Sequence, residues 1–133
     1  MNTALKPGTL LQVPKLAGLV QHAITYVGPV GPNGEDVVNN TPGRGVHLAH
    51  LKQEIAGRTA RLTAPAPPGW REQNSVVQRA LKQLGRPWRL FGNNCEDTAN
   101  YARTGRASSP QLEFWIGLFL VLGLICLLAR RSR

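Results

Sequence analysis

The chain has 133 residues, 42% of them apolar, and carries 16 Lys plus Arg against 7 Asp plus Glu, a formal charge of +9. That length has room for one core of ordinary size; neither a second core nor an internal repeat is evident. The basic residues are scattered and no aromatic–basic nucleic-acid motif accompanies them, so nucleic acid is not an expected partner and most arginines are expected on a solvated face.

Residues 1–15 contain Lys6, Pro7 and Pro14 and no long apolar run, so no secretory signal is expected there. Val20–Gly28 is β-branched and aromatic, with His22 on the same face as Val20, Ile24 and Tyr26, and is predicted to be a strand. Pro29–Gly34 is turn chemistry, and Glu35–Asn40 reads as the returning strand. In an antiparallel hairpin the numbers of opposing residues sum to a constant, here roughly 63, which makes His22 and Asn39 diagonal neighbours about 7–8 Å apart at Cα. Asn39 can then hold the His22 imidazole in the tautomer that accepts a proton.

Gly45–Leu51 reads as strand or loop and includes His47 and His50. Two histidines do not make a closed metal site, so neither a metal nor a cofactor is predicted. Thr59–Thr63 is an expected strand, and Ala64–Gly69, rich in proline, a linker. A helix is predicted from about Asn74 or Ser75, with Val76, Val77, Ala80, Leu81 and Leu84 on its apolar face and Arg79, Lys82 and Arg86 elsewhere on its surface; Gly85 and Pro87 stop it.

Asn94-Cys95-Glu96-Asp97 opens a further helix-compatible run to Arg103, with Asn94 as N-cap and Asp97 placed to close a capping box. Cys95 then lies in the first turn, where free amides and the positive end of the helix dipole favour a thiolate. The geometry suggests a Cys-His-Asn arrangement in the chain order His22, Asn39, Cys95.

Phe114–Ala129 is an unbroken run of 16 apolar or glycine residues, with Trp115 near its start and Arg130, Arg131 and Arg133 after it. Ser109 and Pro110 suit an N-cap and first helical position. A helix apolar all round has no polar face for lying in an interface, and this domain is too small to wrap it as a core helix; a transmembrane anchor is the expectation. Cys126 lies inside it and is expected to behave as a small apolar residue. Cys95 and Cys126 form no disulfide framework and fit a reducing compartment. Setting aside the three terminal arginines leaves 13 basic against 7 acidic residues, or +6, for residues 1–113, a surface suited to anionic headgroups. The catalytic domain is expected to face the cytoplasm, although the terminal arginines argue for the opposite orientation.

Together these segments resemble the lecithin-retinol-acyltransferase-like, or NC-domain, proteins of the larger NlpC/P60 group. The resemblance runs from about Gly8 to Gln111. It is carried by Gly8-Thr9-Leu10-Leu11, His22–Gly28, Val37–Val46, Arg79–Gly85, Asn94-Cys95-Glu96 and Thr104–Gln111. Animal members usually have a histidine where this chain has Asn39, and many follow the cysteine with Glu-His-Phe where this chain has Glu96-Asp97-Thr98.

The resemblance implies an α+β fold of circularly permuted papain-like type. A catalytic domain over residues 1–111 would hold a small antiparallel sheet packed on helices, followed by an anchor with a basic tail over 112–133. It implies Cys95 as nucleophile, His22 as general base and Asn39 as the group that orients it, with the Cys95 backbone amide in the oxyanion hole. The expected activity is cysteine-dependent acyl transfer or phospholipase A action on lipid esters through a thioester, with the bilayer as partner and source of phospholipid substrate. The alternatives are a cysteine peptidase or amidase acting on peptides and a catalytically silent membrane-tethered binding module.

Overall fold

The computed structural model describes residues 5–131; Arg133, counted above among the flanking arginines, and residues 1–4 lie outside them. The fold is α+β. Five strands, β1 (Leu10–Lys15), β2 (Val20–Tyr26), β3 (Val37–Thr41), β4 (Gly45–Ala49) and β5 (Arg61–Ala64), form one antiparallel sheet in the order β4-β3-β2-β1-β5. The helices are α1 (Leu51–Ile55), α2 (Trp70–Leu81), α3 (Cys95–Thr104) and α4 (Pro110–Arg131).

Strand register follows from side-chain alternation. Thr25 faces Val38 and Tyr26 faces Val37, the expected sum of 63. β2 stops at Tyr26, two residues short of Gly28, whose φ of 79° carries the chain out of the sheet. β3 starts at Val37 and extends to Thr41, later at both ends than the sequence suggests. Pro14 is tolerated in β1 because β5 pairs only with Leu10–Gln12, so no neighbour there needs a backbone donor from it.

Each face of the sheet has its own apolar cluster. Val27, Val38 and Val46 meet Val76, Val77 and Ala80 of α2 and Ala102 of α3 on one side. Leu11, Val13, Ile24, Val37 and Ala49 lie on the other, where Leu51 and Ile55 of α1 cover them. Ala99 and Ala102 let α3 approach the sheet closely, and Gly105, at φ 78°, caps its end.

Two helix expectations need correction. α2 begins at Trp70, several residues before the expected start, which its solvent-exposed first turn, without apolar periodicity, left unmarked. It ends at Leu81, so Leu84 falls beyond the helix and is 39% exposed instead of joining the core. Arg79 also does more than cover surface: its Nε and Nη2 donate to the carbonyls of Ala102 and Arg103 at 2.8 and 3.0 Å, satisfying the end of α3.

α4 is 22 residues long with a mean hydropathy of 2.5 over its most apolar window, and none of that window is buried against the domain. It is long and apolar enough to cross a membrane. Its start at Pro110 places the helix beginning two residues before the expected anchor boundary.

Candidate active site

The first turn of α3 is built by the reciprocal cap expected from the sequence. Asp97 N donates to Asn94 Oδ1 at 3.0 Å, and Asn94 N donates to Asp97 Oδ2 at 3.1 Å. Asn94 also spends its remaining donor, Nδ2, on Leu90 O at 3.0 Å, tying the preceding loop to the helix start. Cys95 is thereby fixed at the first helical position, where its own amide and that of Glu96 favour negative charge on Sγ.

His22 and Asn39 meet as expected. His22 Nε2 lies 2.5 Å from Asn39 Oδ1, with the two residues 7% and 1% exposed. An amide oxygen only accepts, so Nε2 carries the ring proton and Nδ1 keeps a lone pair. Asn39 Nδ2 is buried without a hydrogen-bond partner.

The thiol and the imidazole reach this region from opposite sides of the sheet. His22 is paired with Val13 and by alternation shares the face covered by α1, while α3 packs on the other face through Ala99 beside Ala23. The β2–β3 ladder ends at Thr25–Val38, short of Ala23 and Asn40, and both of these turn to the start of α3 instead. Tyr26 pairs its backbone toward β1, so Ala23, an odd number of residues away, turns its amide toward β3. With no strand partner there, the Ala23 N–H points at Cys95 Sγ and favours its ionised form. The structure has no hydrogen bond between Sγ and the His22 ring: of the three residues expected to act together, it bonds His22 to Asn39 and holds the thiol at the residue next to His22.

Burial changes the expected ionisation. It pushes the Cys95 thiol up from its ordinary value, reinforced by the adjacent Glu96 carboxylate and only partly opposed by the Ala23, Glu96 and Cys95 amides. Cys95 therefore rests as a protonated thiol, where the helix-dipole argument anticipated partial ionisation. Burial also lowers His22, against the raising effect of its Asn39 bond, so the ring is a neutral acceptor at pH 7.

Asn40, Glu96, Ser109, Gln111 and Gln21 complete the site, and sequence reasoning gave none of them this role. Asn40 Nδ2 donates to Asn93 O, Asn94 O and Thr98 Oγ1 at 2.7, 3.1 and 2.7 Å, which clamps the start of α3 onto β3. The buried Glu96 carboxylate accepts from Ser109 Oγ at 2.7 Å and Gln111 N at 3.0 Å. Gln111 Oε1 accepts from Gln21 N at 2.9 Å. The Cys95 turn, the His22 strand and the base of α4 thus form one bonded unit. The available signal was Glu96 directly after the cysteine, an acid in the first turn of a predicted helix that packs on the sheet and so needs a partner.

A cavity of about 190 Å³ opens at Cys95, with apolar walls supplied by Val20, Trp88 and Leu90 of the domain and by Leu112 and Trp115 of α4. His47 is engaged locally, its Nδ1 2.8 Å from Gly45 O, and no group of three or more metal-ligating side chains occurs among the described residues. Neither a protein-family profile nor a curated protein matches this chain.

Proposed function

We propose that this chain is a membrane-bound thiol acyltransferase or phospholipase A of the lecithin-retinol-acyltransferase-like kind, with a papain-like arrangement of Cys95, His22 and Asn39. The observation that carries the reading is the cavity at Cys95, whose apolar wall is completed by the first turns of an apolar helix. An acyl chain entering from a bilayer would meet that wall first.

In the proposed reaction Nδ1 of His22 takes the proton from Sγ as the thiol attacks the carbonyl carbon of a phospholipid ester. The new C–S bond leaves an oxyanion that the Cys95 amide stabilises. Collapse breaks the C–O bond, and the His22 imidazolium returns its proton to the departing lysophospholipid oxygen. Water or a lipid amine or hydroxyl, deprotonated by His22, then cleaves the thioester and restores the thiol. Asn39 keeps the Nε2 proton engaged throughout. The thiol and ring come into bonding range with substrate in place, as catalytic hydrogen bonds commonly do.

The test is the intact mass of the full chain after exposure to phosphatidylcholine vesicles, comparing wild type with Cys95→Ala. An acyl-sized, hydroxylamine-labile increment that needs Cys95 is the expected result. No adduct and no released fatty acid from a folded protein would overturn the lipid-ester reading and redirect the search to peptide substrates or a binding role.

A further inference from the structure

The loop joining α2 to α3 has two sides. Trp88, Leu90 and Asn94 line the Cys95 cavity, while Arg86, Arg89, Phe91 and Asn93 line a separate cavity of about 320 Å³. The loop is held in shape. Val46 N donates to Arg86 O at 2.9 Å, Asn93 Nδ2 to Pro87 O at 2.5 Å, and Arg89 N to Asn93 O at 3.1 Å across a one-bridge hairpin. At its tip Leu90 and Phe91 are 49% and 66% exposed.

The charge of this loop is unbalanced. From Gln73 to Cys95 the chain has Arg79, Lys82, Arg86 and Arg89 and no acidic residue. Arg79 is committed to the end of α3, whereas the side chains of Arg86 and Arg89 make no hydrogen bond or ion pair among the described residues. Guanidinium groups in such a hollow suit an oxyanion with several acceptor oxygens, above all a phosphate.

Position identifies the source of that phosphate. Trp88 and Leu90 share a cavity with Leu112 and Trp115, so the loop stands beside the point where α4 leaves the domain. With α4 in a bilayer, that point is the membrane surface. An exposed apolar tip backed by two unpaired arginines then matches acyl chains below and phosphates above.

We propose that the Arg86–Asn93 loop is a phospholipid-headgroup site, with Arg86 and Arg89 binding the phosphate and Leu90 and Phe91 entering the apolar layer. The site rests on the membrane placement in the proposed function but not on Cys95 chemistry. Nucleic acid phosphate fits the arginines but leaves the apolar tip without a counterpart.

The experiment follows the arginine Nε–H signals of full-length Cys95→Ala protein by NMR in dodecyl maltoside micelles, which contain no phosphate. Dihexanoyl phosphatidylcholine and inorganic phosphate are titrated separately. The lipid should shift the Arg86 and Arg89 signals saturably while Arg44 and Arg61 stay in place, and free phosphate should need a concentration about tenfold higher or more, lacking the apolar contacts. Replacing both arginines (Arg86→Gln with Arg89→Gln) should weaken lipid binding by about tenfold or more. Phe91→Ser should erase the preference for lipid over free phosphate without removing the phosphate shifts, a check that survives if the double variant does not fold. Equal response to lipid and phosphate would assign a free-phosphate site instead, and uniform or absent shifts would overturn the proposal. Because the protein lacks the thiol, these outcomes are independent of thioester formation: a failed acyl adduct leaves phosphate binding standing, and failed phosphate binding leaves the Cys95 chemistry standing.

Discussion

Replacing Asn94 with alanine tests whether the Cys95 turn is held as described. The substitution removes the acceptor for Asp97 N and the donor to Leu90 O, both at 3.0 Å, but leaves the bond from Asn94 N to Asp97 Oδ2. Loss of an N-cap side chain costs about 1–2 kcal/mol, and the loop bond contributes about 0.5–1.5 kcal/mol. The sum is about 1.5–3.5 kcal/mol, which for a domain of this size lowers Tm by about 6–14 °C. Asn94→Ser restores the cap but not the Leu90 bond, so it should recover more than half of that loss. Thermal denaturation of the full chain in detergent, followed by near-ultraviolet circular dichroism, measures both. A fall of less than about 3 °C for Asn94→Ala would refute the account of how Cys95 is positioned.

In a Cys126→Ser background, alkylation of Cys95 by iodoacetamide should be slower at pH 7 than that of an unstructured thiol and still climbing at pH 9, since burial raises the thiol; a plateau below pH 8 would contradict this. Glu96→Gln should speed that alkylation at pH 8, because it removes the neighbouring charge that opposes ionisation while keeping an acceptor for Ser109; an unchanged or slower rate counts against it. The lowered His22 pKa means that the unfolded chain binds a proton more readily than the folded one. The contribution of His22 is therefore fully present above about pH 6.5 and is lost as pH falls through the folded value; urea denaturation between pH 7.5 and 5 should show this acid loss, and His22→Gln should flatten it. Gly45→Ala should destabilise the domain by about 2 kcal/mol or more, since a Cβ there would meet Arg86 O at 2.4 Å and φ is +69°. Wild-type stability in a denaturant titration would show that this close approach yields easily.

The legible parts of this molecule were those set by neighbours in sequence. A short turn and strict alternation fix the β2–β3 register, so His22 and Asn39 could be paired in advance. The Asn94–Asp97 cap likewise needs only three residues. Asn40 shows where local reasoning ends: it adjoins Asn39 but faces the other way, and its partners lie 53, 54 and 58 residues downstream. The order of the sheet was equally hidden, since β5 joins β1 across nearly fifty residues of chain. For Cys95 the helix terminus was visible in the sequence, but the burial that outweighs it is a property of the assembled fold.

The bonds from Glu96 to Ser109 and Gln111, and from Gln21 to Gln111, tie the base of α4 to the domain at three points. A domain on a loose tether could sample a hemisphere of space and reach a facing bilayer. On the proposed reading, with α4 inserted, a domain bonded to its anchor in this way would present the Cys95 cavity to the leaflet beneath it. If the proposed lipid-ester activity holds, supply depends on lateral diffusion of lipids past that opening, so turnover should track membrane fluidity, and vesicles lacking the protein should remain untouched beside vesicles that contain it.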